Sequence, residues 1–293
     1  MSSKASQAIR NTIQKDQWQD EPPLPQQRKE WEAYAQEQPL PNGITQREER
    51  IAGVPCLWVN TEHPPLQSQI IVYLHGGGYI SGSPITHLDY AARLTLATSM
   101  PILLVDYRLA PEHPYPAALE DIAAVYQSLI NQHEWSPSQI YFGGDSSGAG
   151  LLVASLLKLR DSATPLPAKA FCLSGVYDAT FSCDSMKTRA EDDPFTSKQT
   201  LERCFALYAQ GEILTTPLIS PLFGELHGMP PFLLQAGNDE ILRDDSARLA
   251  SEIILNGGEV ELRIWADMWH TWPLYGDFPE AKGAIEEIRR FLG

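Results

Sequence analysis

From residue 69 onward, short apolar runs alternate with segments of helical length. "QIIVYLHGGG", "PILLVDY", "QIYFGG", "AKAFCLSG", "PPFLLQAG" and "EVELRIWA" read as strands. "PAALEDIAAVYQSLINQ", "SGAGLLVASLLKLRD", "DDSARLASEIILNGG" and "FPEAKGAIEEIRRFL" read as helices. Continuously apolar strands joined through helices build a parallel sheet covered on both faces. Two shorter strands, "QREERIAG" and "PCLWVN", precede the set. Residues 177–217 break the alternation, being polar and then helical ("SKQTLERCFALYAQG"), and read as an insertion above the sheet. Residues 1–40 are polar, interrupted by "EPPLP" and "QPLPNG", with "RKEWEAYAQEQ" an amphipathic helix.

At 293 residues, 43% hydrophobic and 20% charged, the chain has room for one large α/β domain with a sizeable core, or for one domain plus a small appendage. A net charge of -15 repels nucleic acid and anionic membrane surfaces, which argues against both as partners. The N-terminus lacks the apolar core of a secretion signal, and no stretch approaches the ~18 apolar residues of a membrane span. Cys56, Cys172, Cys183 and Cys204 show no CxxC spacing and read as reduced, structural thiols of a cytoplasmic protein.

Gly144-x-Ser146-x-Gly148, in "GGDSSGAG", falls between a predicted strand and a predicted helix. A nucleophilic serine at such a turn needs a strained backbone, and flanking glycines relieve the crowding. With Gly and Ser at about 7% each, the pattern alone arises by chance about once in ten chains of this length. The strand-turn-helix context makes the match informative. "HGGGY", His75 to Tyr79, follows the first long apolar strand. A flexible glycine loop is one reading. An oxyanion loop is the better one, since glycines let main-chain N–H groups approach a substrate carbonyl. His75 then orients or packs.

These motifs, together with "DYRLAPEHPYPAALED" (residues 106–121), resemble the hormone-sensitive lipase family of α/β-hydrolases, the bacterial family IV esterases. The resemblance spans residues 43–291. It implies an α/β-hydrolase fold, with an eight-stranded, mostly parallel sheet flanked by helices. The catalytic domain would comprise residues 43–179 and 218–293, and a helical cap residues 1–42 and 180–217. Ser146 would attack an ester carbonyl, and the N–H groups of Gly77, Gly78 and Ser147 would hold the oxyanion, with His75 and Gly76 completing the loop motif. Ser147 stands where the family has Ala, but only its N–H is needed. The resemblance also implies short acyl esters as substrates, no metal or cofactor, and a homodimer pairing through the last strand. Tyr79, Trp31, Tyr34, Phe205 and Tyr208 are expected to line the pockets. An amidase or a deacetylase would use the same triad, and the plant gibberellin receptors resemble the family while lacking a working one.

This fold orders its triad serine, acid, histidine. Of seven histidines only His270, in "WADMWHTW", follows the carboxylate cluster "GNDEILRDD". His63, His87, His113, His133 and His227 read as surface or loop residues. Asp244 and Asp245 fall at a helix start and read as caps. A calcium loop fits poorly, because Ile241, Leu242 and Arg243 occupy the middle of the cluster. Counting forward from the strand favours Asp239 as the acid. The family's acid-x-Leu-x-Asp signature favours Glu240, which is the expected acid, with Asp239 the alternative.

Overall fold

A computed structural model describes residues 2–13, 23–63 and 69–293. Strands β1 (Ile44–Ile51) and β2 (Val54–Thr61) form an antiparallel hairpin. Its two-residue turn, Ala52-Gly53, has positive φ at both positions (51° and 85°), which matches the twist of the flanking strands. The strands β3 (Ile70–Leu74), β4 (Ile102–Val105), β5 (Ile140–Asp145), β6 (Lys169–Leu173), β7 (Phe232–Gly237) and β8 (Val260–Trp265) are parallel. The hairpin joins them antiparallel, and the sheet order is β1-β2-β4-β3-β5-β6-β7-β8. The expected eight strands are therefore present. β8, the strand expected to pair two copies, lies at one edge.

Helices α1 (Lys4–Arg10) and α2 (Leu24–Glu37) precede the sheet. α3 (Leu88–Thr98), α4 (Ala117–Asn131) and α5 (Ser146–Asp161) connect the central strands. The inserted segment carries α6 (Ser185–Thr188) and α7 (Lys198–Ala209); α8 (Arg243–Leu255) and α9 (Pro279–Leu292) complete the chain.

Successive strand residues point to opposite faces, so β3 feeds two cores. Ile70, Val72 and Leu74 pack with Leu119 of α4, Leu152 of α5 and Leu249 of α8. Ile71 and Tyr73 pack with Leu94 of α3 and with Ile285, Ile288 and Leu292 of α9. On α9 the buried residues Ala281, Ala284, Ile285, Ile288 and Leu292 recur every three or four positions, a single helical stripe. Burying a side chain such as Ile288 stabilises the fold by about 1.5–3 kcal/mol.

Both N-terminal helices are fastened to this framework. Arg28 of α2 donates to the carbonyls of Ile80 and Ala110, each at 2.7 Å, and grips Glu112 through both carboxylate oxygens. Ile9 and Ile13 pack against the cluster of Trp269, Trp272 and Phe278. The expected cap segment 1–42 falls partly outside the described residues, at 1 and 14–22. Among the described residues, no helix is long and apolar enough to cross a membrane. The four cysteines are free and buried.

Candidate active site

β5 ends at Asp145 and α5 starts at Ser146 with no intervening loop. The chain must reverse direction within one residue, and Ser146 adopts φ 51°, left-handed backbone that costs a non-glycine residue of order 1 kcal/mol. Gly144 and Gly148 make that turn possible. A Cβ on Gly144 would stand 2.9 Å from the Gly148 carbonyl, and one on Gly148 would strike the carbonyls of Leu74 and His75. The serine is thereby presented at the C-terminal end of the sheet. The first N–H groups of α5, Ser147's among them, have no intrahelical acceptor.

His270 meets this serine. Its Nε2 lies 2.9 Å from Ser146 Oγ, and its Nδ1 lies 2.9 Å from Glu240 Oε2. An ionised carboxylate can only accept, so Nδ1–H donates to Glu240 and Nε2 is left to accept the Ser146 hydroxyl proton. Glu240 is fully buried, and its Oε1 accepts the Gly237 N–H at 3.1 Å. The two loops are joined edge to edge, since Asn238 N–H donates to the Trp265 carbonyl and Asp239 N–H to that of Met268. Burial opposes charging of His270. Glu240, with Asp193 and Asp145 behind it, outweighs that and holds its pKa above the ordinary histidine value. Burial also pushes the Glu240 carboxyl upward, against the pull of His270. Trp269 and Trp272 pack into an apolar cluster with Phe278, whereas both ring nitrogens of His270 are engaged by Glu240 and Ser146.

The glycine loop lies beside this group. A Cβ on Gly76 would meet the Asp145 carboxylate and stand 3.1 Å from Ser146 Cβ. Gly77 and Gly78 have φ 121° and 64°, conformations that side-chain-bearing residues rarely adopt. The Gly77 carbonyl accepts from Ser81 N–H at 2.9 Å and from Ser81 Oγ at 2.8 Å, which closes the loop on itself. Gly76 N–H donates to Asp145 Oδ1 at 3.0 Å. Asp145 is buried and also receives the Tyr73 hydroxyl at 2.9 Å. Burial opposes its ionisation, but His87 and Tyr73 outweigh that and hold the carboxyl below its usual range.

His75 stacks on Tyr107 (4.2 Å between ring centres, 10°), and Tyr107 Oη donates to the His75 carbonyl. The "DYRLAP" block therefore braces the strand end from beneath. Burial, aided by neighbouring His87, pushes the His75 pKa down to about 3, so His75 stays neutral, as a packing residue should. The expectation of a surface or loop position fails for His87. It is 1% exposed, its Nε2 stands 3.2 Å from Asp145 Oδ1, and it forms part of the floor of the glycine loop. A lone histidine in "SPITHLDY" carries no periodicity that reveals this.

The four clustered carboxylates each go to different partners. Asp239 pairs with Arg10 at 2.7 Å. Glu240 faces His270. Asp244 accepts the Ser185 N–H and pairs with Arg243. Asp245 accepts the N–H groups of Tyr177 and Asp178 at 2.8 and 3.1 Å. Asp244 and Asp245 are thus structural, but not as the expected caps, for α8 starts without a side-chain cap. Their oxygens satisfy the amides of Tyr177 and Asp178 in the irregular chain after β6 and that of Ser185, the first residue of α6, none of which has a ladder or intrahelical acceptor. Among the described residues, no group of three or more His, Cys, Asp or Glu could hold a metal.

Of the five expected pocket residues, Tyr79, Phe205 and Tyr208 are buried against one another, with Tyr79 and Tyr208 stacked at 4.1 Å. They weld α7 to the glycine loop and offer little open surface. Tyr34 is 65% exposed, and Trp31 stands 6.2 Å from the His87 ring. The inserted segment also supplies a residue that sequence reasoning missed, Phe195, whose ring stacks on His270 at 5.4 Å and 28°.

An eight-stranded sheet that delivers serine, carboxylate and histidine to one end, in that chain order, defines an α/β-hydrolase. The sequence model of the family described as "alpha/beta hydrolase fold" matches residues 71–274. The chain belongs to that family, within its hormone-sensitive lipase group. An acetyl-hydrolase of Streptomyces hygroscopicus is 40% identical over 223 residues, 76% of this chain and 74% of that protein. An esterase of Acinetobacter venetianus is 36% identical over 226 residues, with coverages of 76% and 74%. The crystal structure of an esterase from the bacterial hormone-sensitive lipase family superposes with a TM-score of 0.95. It is 36% identical and is matched over 100% of this chain and 98% of its own.

Proposed function

We propose that the protein is a serine carboxylesterase that hydrolyses short-chain acyl esters through an acyl-enzyme. One observation carries the reading: the His270 imidazole lies 2.9 Å from Ser146 Oγ on one side and 2.9 Å from Glu240 Oε2 on the other. Ser146 Oγ attacks the ester carbonyl as His270 Nε2 takes its proton. The carbonyl oxygen becomes an oxyanion, received by the N–H groups of Gly77, Gly78 and Ser147, and each such donor is worth about 3 kcal/mol in the transition state. Collapse breaks the C–O bond, and the imidazolium returns the proton to the departing alcohol. Water, deprotonated by His270, then attacks the acyl-serine and releases the acid.

Relatives named acetyl-hydrolase and esterase support an ester substrate. So does the similar esterase EstE5, whose crystal was soaked by p-nitrophenyl butyrate and whose TM-score here is 0.91 at 37% identity. The anchoring of α2 through Arg28 to Ile80, just past the glycines, supports a cap built from residues 1–42 and 180–217. Four free thiols support a reducing, cytoplasmic setting. The edge position of β8 supports a homodimer through that strand. The test is a panel of p-nitrophenyl esters from acetyl to dodecanoyl, together with matched anilides. Fast turnover of acetyl to octanoyl esters, with negligible amide cleavage, is expected. Preference for anilides would replace the reading with an amidase.

A further inference from the structure

Two consecutive residues of the inserted segment hold the loop that carries Glu240, one on each side of it. Arg10 Nη2 donates to the Asp192 carbonyl at 2.6 Å, while its Nη1 donates to Asp239 Oδ2 at 2.7 Å. On the other side, Asp193 Oδ2 accepts the Ile241 N–H at 2.9 Å. Glu240 therefore lies between two fixed neighbours. Asp193 Oδ1 accepts the N–H groups of Phe195 and Thr196 at 2.8 and 3.2 Å, closing the turn that lays the Phe195 ring on His270. Asp193 is 0% exposed, and no ion pair to it occurs among the described residues. A buried carboxylate without a cationic partner is costly. A turn of this kind could be closed by Asn or Ser without that cost.

We propose that Asp193 is a positioning residue for the Glu240–His270 pair: it fixes the acid's loop through Ile241 and, through the turn it closes, the Phe195 ring against the imidazole. The inference rests on the triad reading above. Three carboxyl groups from three elements act on His270: Glu240 from the loop after β7, Asp193 from the insertion, and Asp145 from the end of β5. Tyr275 also faces this group, and burial raises its phenol pKa, so it stays neutral. When His270 takes the serine proton, Glu240 holds the new positive charge directly, and Asp193 and Asp145 favour it through space. Burial pushes the Asp193 carboxyl upward, against the pull of His270 and of its three N–H donors. Removing Asp193 thus has two effects, a looser Glu240 and a histidine that is easier to deprotonate.

The test is Asp193→Asn, with kcat and KM measured on p-nitrophenyl acetate and kcat/KM followed against pH. Expected are a fall in kcat of about 100-fold, as for a group misplaced by about 1 Å, with KM within a few-fold. The acid-side midpoint should move to lower pH, which a merely structural role would not produce. Should the Asn variant be insoluble, Asp193→Ser serves, since its hydroxyl can still accept from Phe195 and Thr196 but cannot reach Ile241. Wild-type kcat with an unshifted midpoint, or failure of both variants to fold, overturns the proposal. Glu240→Gln, run alongside, separates the two readings. If it is inactive while Asp193→Asn is normal, only this inference falls. If it is active while Asp193→Asn is dead, the triad assignment falls.

Discussion

His270 Nδ1 faces Glu240 Oε2 at 2.9 Å, while Asp239, one residue earlier, turns away to Arg10. Two adjacent carboxylates thus do different work. The extra methylene of glutamate reaches the imidazole from a position whose N-terminal neighbour is tied to the Met268 carbonyl through its own N–H. Glu240→Gln should lower kcat by about three to four orders of magnitude, as expected for a histidine held in the wrong tautomer. Asp239→Asn breaks a partly exposed ion pair and should cost at most a few-fold. Paired kinetics on one ester decide it, and the reverse ranking would move the acid by one residue.

Ser146 is the residue at the left-handed elbow, with its hydroxyl on His270. Ser146→Ala should abolish ester turnover and leave circular dichroism and melting unimpaired, because it removes one oxygen from a strained backbone position. An organophosphate should label Ser146 and no other residue, read by peptide mass. Label elsewhere with more than a few per cent residual activity contradicts the assignment.

Much of this was legible in the chain itself, for a physical reason. Ile70 to Leu74, apolar at every position and stopped after five residues by "HGGG", has the length of a strand buried on both faces and is one. A serine between glycines at a strand-helix junction has one common use. That Glu240 rather than Asp239 faces His270 was readable because Leu242, 0% exposed, anchors the helix side of the loop. What escaped were contacts between remote segments. Asp193 reaches Ile241 across 48 residues, and Arg10 reaches Asp239 across 229. Neither leaves a periodic trace, and "EDDPF" looks like any acidic loop. His87 escaped likewise, since its burial depends on Asp145 and Gly76 arriving from two other elements. Asp245 was misread as a cap because a carboxylate in a first helical turn has that use by default, whereas here the amides of Tyr177 and Asp178 need it more.

The pH profile follows from His270. Although burial lowers its proton affinity, Glu240 and the other carboxylates outweigh this, so its folded pKa is raised above the unperturbed ~6.5. The neutral form is the base, so kcat/KM should fall as pH drops, with a midpoint above ~6.5. The stability sign is opposite. A raised histidine stabilises the fold fully below its unfolded pKa, and that contribution is lost as pH rises through the folded value. Activity should therefore climb in the window where this share of stability declines. Melts and rates taken on the same buffers check both slopes, and a rate flat from pH 5 to 9 rules out a histidine base.

The N-terminal segment gives the last prediction, and its two helices should behave differently. α2 is held by Arg28 to the carbonyls of Ile80 and Ala110 and to Glu112, close to the glycine loop. α1 is different, because its Arg10 bridges Asp239, the Asp267 carbonyl and the Asp192 carbonyl, which together frame Glu240 and His270. Arg28→Ala should therefore shift acyl-chain preference, raising KM for longer esters, with kcat on an acetyl ester within a few-fold of wild type. Arg10→Met should lower kcat by about 10- to 100-fold across all chain lengths, because it loosens the acid and histidine loops and leaves the substrate's path alone. Deleting residues 1–42 should combine both effects and expose apolar surface, while the sheet core stays folded, since the buried strand faces belong to residues 51–292. Chain-length profiles and dye binding measure this. A truncated enzyme with wild-type selectivity would show that these helices form no part of the substrate site.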